Sequence, residues 1–165
     1  MIVLPRLSWR SAGITATGIS GGASTDAHVG EPCAFDALPF DGVALHDQRD
    51  WIIELADLGY TDVWSSEAMG HDAFTPLALA AAWAPMLRLG TAIVPAYTRG
   101  PALLAQSVAS MADAAPGRFV FGIGTSSNVI VERWNGIEFT EPYRQVRDMV
   151  RFLRQAMSGE KVSGT

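Results

Sequence analysis

Tyr60-Thr61-Asp62-Val63-Trp64-Ser65, then Thr75-Pro76 heading an alanine-rich run that Pro85 closes, then Arg88-Leu89-Gly90-Thr91-Ala92-Ile93-Val94, is the stretch that decides the fold. The first and last runs are short and largely apolar, as strands covered on both faces are. Between them Thr75 offers a capping hydroxyl and Pro76 the fixed φ that suits the first helical position, while Pro85 cannot continue a helix. Strand, helix and strand in that order predict parallel pairing through a right-handed crossover.

The same unit repeats on either side. Upstream, residues 40–45 are expected as strand one, followed by a helix that Asp47 caps, that carries Trp51, Ile52, Leu55 and Leu58 on one side and that Gly59 stops. Downstream, Pro101 opens a helix to Ala114 that Pro116-Gly117 ends, and residues 118–124 form strand four. A last helix starts near Thr140-Glu141-Pro142, sets Tyr143, Val146, Val150, Leu153 and Met157 at spacings of three and four, and ends at Gly159. Four strand–helix units make the class α/β. An eight-unit barrel and an open doubly wound sheet both fit at this stage, and both place their chemistry at the carboxyl ends of the strands.

The chain has 165 residues, 48% apolar and 18% charged, with a formal net charge of −5, which describes one globular domain. The charge content lies below the roughly 25% of an average domain, so much of the chain wants cover. Positive charge comes from arginines and a single lysine, Lys161, with no basic run, so neither nucleic acid nor an anionic membrane is an expected partner. Cys33, the one cysteine, has no partner for an internal disulfide or a metal cluster, which fits the reducing cytoplasm. The longest apolar stretch, residues 76–87, is broken by Pro85 and is about half the roughly 20 residues of a membrane crossing. After Arg6 and Arg10 come Gly, Ser and Thr where a signal peptide carries its apolar core, so secretion is not expected. Residues 1–36, dense in small residues and without period, are expected to be a mobile extension, and residues 37–165 the folded unit.

At the strand ends, Glu67 follows strand two, where a carboxylate can orient a ligand, shuttle a proton, or simply serve a surface or capping role. His46 and His71 read as hydrogen-bonded structural imidazoles before catalytic ones, and scattered histidines without paired ligand spacing give no metal site. Gly122-Ile123-Gly124 suggests a dinucleotide loop, but position 127 is Ser and no helix opens at once, so that fingerprint fails. Trp64, Trp83 and Trp134 read as packing.

Taken together, Gly59-Tyr60-Thr61-Asp62-Val63-Trp64-Ser65-Ser66-Glu67, Arg88-Leu89-Gly90-Thr91-Ala92-Ile93-Val94-Pro95 and Pro116-Gly117-Arg118-Phe119-Val120-Phe121-Gly122-Ile123-Gly124 resemble the luciferase-like monooxygenase superfamily. Tyr97-Thr98-Arg99-Gly100-Pro101 and Val131-Glu132-Arg133-Trp134-Asn135-Gly136-Ile137 resemble its branch using the deazaflavin coenzyme F420, near the methylene-tetrahydromethanopterin reductases. The resemblance covers roughly residues 40–162. It implies a (β/α)8 barrel that holds F420, or alternatively FMN, at the carboxyl ends of its strands and moves a hydride between the ring and a small organic substrate.

The resemblance also implies a bulge in strand three with a non-proline cis peptide at Ala92-Ile93, backing the ring. Glu67 then stands as the acidic site residue, and Thr125, Ser126 and Ser127 border the ring. Many relatives carry His after that acid; here the position is Ala68. A barrel takes about 250 residues, so the expectation is an N-terminal half barrel of about four β/α units, an incomplete oxidoreductase whose open edges at strands one and four favour self-association or a complementary half. A non-catalytic half barrel and an open doubly wound nucleotide-binding domain are the rival readings.

Overall fold

The computed structural model describes residues 2–4, 7–10, 13–16, 34–36 and 42–159. Its elements are β1 (Ile2–Leu4), β2 (Leu7–Arg10), β3 (Gly13–Ala16), β4 (Ala34–Asp36), α1 (Arg49–Asp57), β5 (Asp62–Ser65), α2 (Thr75–Trp83), β6 (Arg88–Thr91), β7 (Val94–Pro95), α3 (Pro101–Ala114), β8 (Phe119–Gly124) and α4 (Pro142–Met157). A 3-10 turn at Leu45–Gln48 and a π-helical turn at Val129–Trp134 complete them.

Strands β4, β5, β6 and β8 pair in parallel and in chain order. The helices pack in the same order, α1 on α2, α2 on α3 and α3 on α4, with α2 against β5 and β6 and α3 against β8. The class is therefore α/β as expected. A doubly wound sheet would show a reversal of strand order, and the four parallel strands described here contain none.

The core lies between sheet and helices. Val63, Leu89, Phe119, Phe121 and Ile123 from the strands meet Leu77, Leu104, Val108 and Leu153 from the helices, all fully buried. Covering each such side chain contributes about 1.5–3 kcal/mol relative to exposure. In α4 the buried stripe is Val146, Met149, Val150, Leu153 and Met157, whereas Tyr143 points outward in the first turn. In α1 only Ile52 and Leu55 are buried, while Trp51 and Leu58 stay exposed. Among the described residues no helix is long and apolar enough to cross a membrane.

Several expectations need correction. Strand one is β4 at Ala34–Asp36, paired with β5; the described part of residues 40–45 is a turn leading into the 3-10 segment, because Gly42 adopts a positive φ of 90°. The sheet thus takes in residues before the expected boundary at 36/37. Asp47 sits inside the 3-10 turn and makes no side-chain cap for α1. The N-cap of α2 is Phe74, without a side-chain cap, and Asp72 just ahead of it accepts the N–H groups of Phe74 (2.8 Å) and Thr75 (3.1 Å). The outer side of β8 is not free, since β1 lies on it antiparallel with Ile2 opposite Ile123. The β2–β3 hairpin rests on α3 and α4. The remainder of residues 1–41, with Cys33, and Lys161 lie outside the described residues.

Candidate functional site

The site grows from an irregularity in the third parallel strand. Gly90 stands opposite Val120 and Val94 opposite Ile123, so the segment from β6 to β7 carries one residue more than β8 over the same span. That is a β-bulge, and the Ala92-Ile93 peptide within it is cis, at the expected position. The ladder is repaired by one side chain: the Thr91 hydroxyl donates to the Gly122 carbonyl (2.9 Å) and accepts the Gly122 N–H (2.8 Å). Gly122 is needed for that approach, because a Cβ there would stand 2.1 Å from the Thr91 carbonyl oxygen.

Strand β5 holds the bulge from the other side. The Ala92 N–H donates to the Ser65 carbonyl (2.7 Å), and the Glu67 N–H donates to the Ile93 carbonyl (3.1 Å). Ser66 therefore sits between two cross-strand bonds, opposite the Ala92-Ile93 peptide. The strand end is tied further by the Ser65 hydroxyl, which donates to the Ala73 carbonyl.

At these carboxyl ends lies a cleft of about 250 Å³ lined by Ser66, Glu67, Ala68, Ala92, Ile93, Ser126, Ser127 and Ile130. Five of the residues singled out from sequence, Glu67, Ala92, Ile93, Ser126 and Ser127, meet there. Thr125 is adjacent and half-buried, its hydroxyl donating to the Ser126 carbonyl at 3.3 Å, but it does not line the cleft. Ser126 holds a left-handed φ of 63°, uncommon for a residue with a side chain, which turns the chain at the rim. The Ser127 hydroxyl accepts the Ile130 N–H at 3.4 Å and starts the π-helical turn that brings Ile130 to the wall.

Behind the cleft is a charged cluster that sequence reasoning did not assign. Arg99 donates through one Nη to both carboxylate oxygens of Glu67, and the Thr98 hydroxyl (3.3 Å) and the Ala73 N–H (3.4 Å) add further donors. The guanidinium also lies 3.8 Å from Asp72 and 5.1 Å from the centre of the Phe74 ring. The Glu67 carboxyl group is thus held by Arg99, Thr98 and the Ala73 N–H, which fixes its position in the cleft wall. Burial works to raise the Asp72 carboxyl, but hydrogen bonds from Thr75 and from the Phe74 and Thr75 N–H groups, with Arg99 beside it, outweigh it and hold it below its ordinary 3.8. Arg99 stood within the motif Tyr97-Thr98-Arg99-Gly100-Pro101, yet no local spacing ties it to Glu67.

The two histidines among the described residues do not line the cleft. His46 is exposed beside Asp47 (3.2 Å), and His71 hydrogen-bonds the Val43 carbonyl (3.1 Å). Among the described residues no group of three His, Cys, Asp or Glu side chains could hold a metal ion.

An apolar floor of Ala92, Ile93 and Ile130 with serines around it fits a flat ring that has one polar edge. The volume falls below the roughly 300–1,000 Å³ of a complete small-molecule site, so it suits part of a coenzyme. Parallel strands in chain order, helices packed in the same order and a cleft at the strands' carboxyl ends match the arrangement of consecutive units in a (β/α) barrel. The chain belongs to the luciferase-like monooxygenase family, whose model matches residues 16–165. It is 33% identical over 104 residues, 63% of this chain and 30% of the relative, to a Mycobacterium tuberculosis protein proposed to be a coenzyme F420-dependent oxidoreductase. Its fold matches the coenzyme F420-dependent tetrahydromethanopterin reductase of Methanopyrus kandleri at a TM-score of 0.64 and 22% identity, over 75% of this chain and 39% of that one. It also matches the FMN-bound oxygenating constituent of 3,6-diketocamphane monooxygenase from Pseudomonas putida at 0.62 and 17% identity, over 74% and 38%. The chain spans about a third of the length of the curated relatives it matches.

Proposed function

We propose that the protein is an F420-dependent oxidoreductase that transfers a hydride between the coenzyme and a small organic substrate, with the 250 Å³ cleft as the platform for the ring. The observation that carries this reading is the convergence of Ala92, Ile93, Ser66, Ser126 and Ser127 on one wall at the strands' carboxyl ends. When bound, the deazaflavin supplies the hydride chemistry, and the protein supplies orientation and electrostatics. Ala92 and Ile93 would exclude water from one ring face, the Ser126 and Ser127 hydroxyls would meet its polar edge, and Arg99 holds Glu67 in place behind the cleft.

None of the eight lining residues is basic, so the coenzyme's phosphate finds no cation on this wall. Charge-assisted hydrogen bonds contribute about 1.5–3 kcal/mol each, and lacking two of them weakens binding by about two to four powers of ten. Fluorescence titration of the purified chain with F420 and with FMN tests the reading. Saturable but weak binding, tighter for F420, supports it; saturation by neither overturns it.

FMN is the second reading, favoured by the FMN-bound structural neighbour of matching fold. We propose the cytoplasm as the protein's compartment, the reading that the single cysteine of the sequence favours. The outer side of β4 has no strand beside it among the described residues, and we propose self-association or a complementary half barrel there, which sedimentation at rising concentration tests.

A further inference from the structure

Among the described side chains, Ser66 has an oxygen that is out of contact with water and without a hydrogen-bond partner. Its neighbours differ: the Ser65 hydroxyl is bonded to Ala73 and the Ser127 hydroxyl to the Ile130 N–H. A buried hydroxyl left unpaired disfavours the folded state, and such groups in native proteins generally find a partner. No partner for it lies on β5, on the bulge or on the 66–74 loop. Ser66 lines the cleft and stands across from Ala92-Ile93, where the two cross-strand bonds fix its backbone. A serine side chain has three staggered positions about χ1, so a modest rotation presents the hydroxyl to whatever fills the cleft.

From this, and resting on the ring-binding reading above, we infer that Ser66 is a coenzyme-recognising residue whose hydroxyl bonds the polar edge of the bound ring. Isoalloxazine and deazaflavin rings both carry an edge of alternating carbonyl and N–H groups. A hydroxyl that donates and accepts serves either. The side chains of Ala92 and Ile93 are apolar, and Glu67 is bonded to Arg99. Ser66 then adds, beside Ser126 and Ser127 at the other side of the cleft, a contact that reads where along the floor the ring lies.

The test is Ser66→Ala in the full chain, measured in two ways. In the absence of coenzyme its melting temperature equals or exceeds that of the parent, because the removed hydroxyl had no partner; a clear drop would mean that the hydroxyl is bonded within the protein, and the inference fails. In a fluorescence titration with F420, and in parallel with FMN, the variant binds about 3- to 10-fold more weakly, the ratio expected from one lost hydrogen bond. Equal affinity of parent and variant overturns the role of Ser66 while leaving the ring-binding reading intact. If the parent chain binds neither coenzyme, both fall together.

Discussion

Arg99 bridges both carboxylate oxygens of Glu67, joining the loop after β7 to the end of β5 at the back of the cleft. Both side chains are less than a fifth exposed, at 17% and 19%, so the pair is partly shielded from solvent. Arg99→Ala leaves a half-buried carboxylate with only Thr98 and the Ala73 N–H, and stability falls by about 1–3 kcal/mol. Glu67→Gln in the same background recovers part of that loss, because the uncompensated charge is gone. Urea unfolding of the single and double variants measures it; unchanged midpoints would show that the pair contributes nothing.

Asp72 gives the fold a pH dependence of defined sign. Its folded-state value lies below 3.8, so its contribution is fully present above that unfolded value and is lost as the pH falls through the lowered one. Asp72→Asn keeps an acceptor oxygen but cannot titrate. The stability difference between parent and variant shrinks as the pH drops below about 3.8. Thermal melts at stepped pH check this, and a difference that stays constant down to the acid limit contradicts it.

Thr91→Val removes both hydrogen bonds to Gly122 while keeping the shape, leaving a buried N–H and carbonyl unpaired. The loss expected is about 2 kcal/mol, with Thr91→Ser milder. Chemical denaturation distinguishes the two, and equal effects would rule out the hydroxyl as the link across the bulge.

Gly122→Ala places a Cβ 2.1 Å from the Thr91 carbonyl oxygen, where backbone must move. We expect destabilisation of about 1–3 kcal/mol or failure to fold. Gly100→Ala, which meets open space, changes stability by at most about 0.5 kcal/mol. Comparable losses at the two positions would remove the argument for close strand approach.

The strand–helix alternation from β5 to α4 is legible because each element carries its own signal: an apolar run, a first-turn proline at Pro101 and Pro142, a stop at Gly59 or Pro85. Most of the site wall is legible only through resemblance, since nothing in the spacing of Glu67, Ala92 and Ser126 brings them together without the fold. What escaped has non-local causes. β4 is three residues long and is a strand only because β5 lies beside it. Residues 40–45 look equally apolar, yet Gly42 turns the chain. Arg99 finds Glu67 through the return of β7 to the sheet, and β1 finds β8 across most of the chain. The orphan hydroxyl of Ser66 is a property of packing that no sequence pattern announces.

The claim that the wall around Ala92-Ile93 carries the coenzyme ring is tested most directly by titrating F420 into isotopically labelled protein and following backbone amide shifts by NMR, a method suited to weak binding. The shifts should concentrate on Ser66, Glu67, Ile93, Ser126, Ser127 and Ile130, fall along one binding curve, and leave the outer faces of α1 and α4 unmoved. Saturable shifts centred anywhere else in the described fold, with these six amides still, would contradict it.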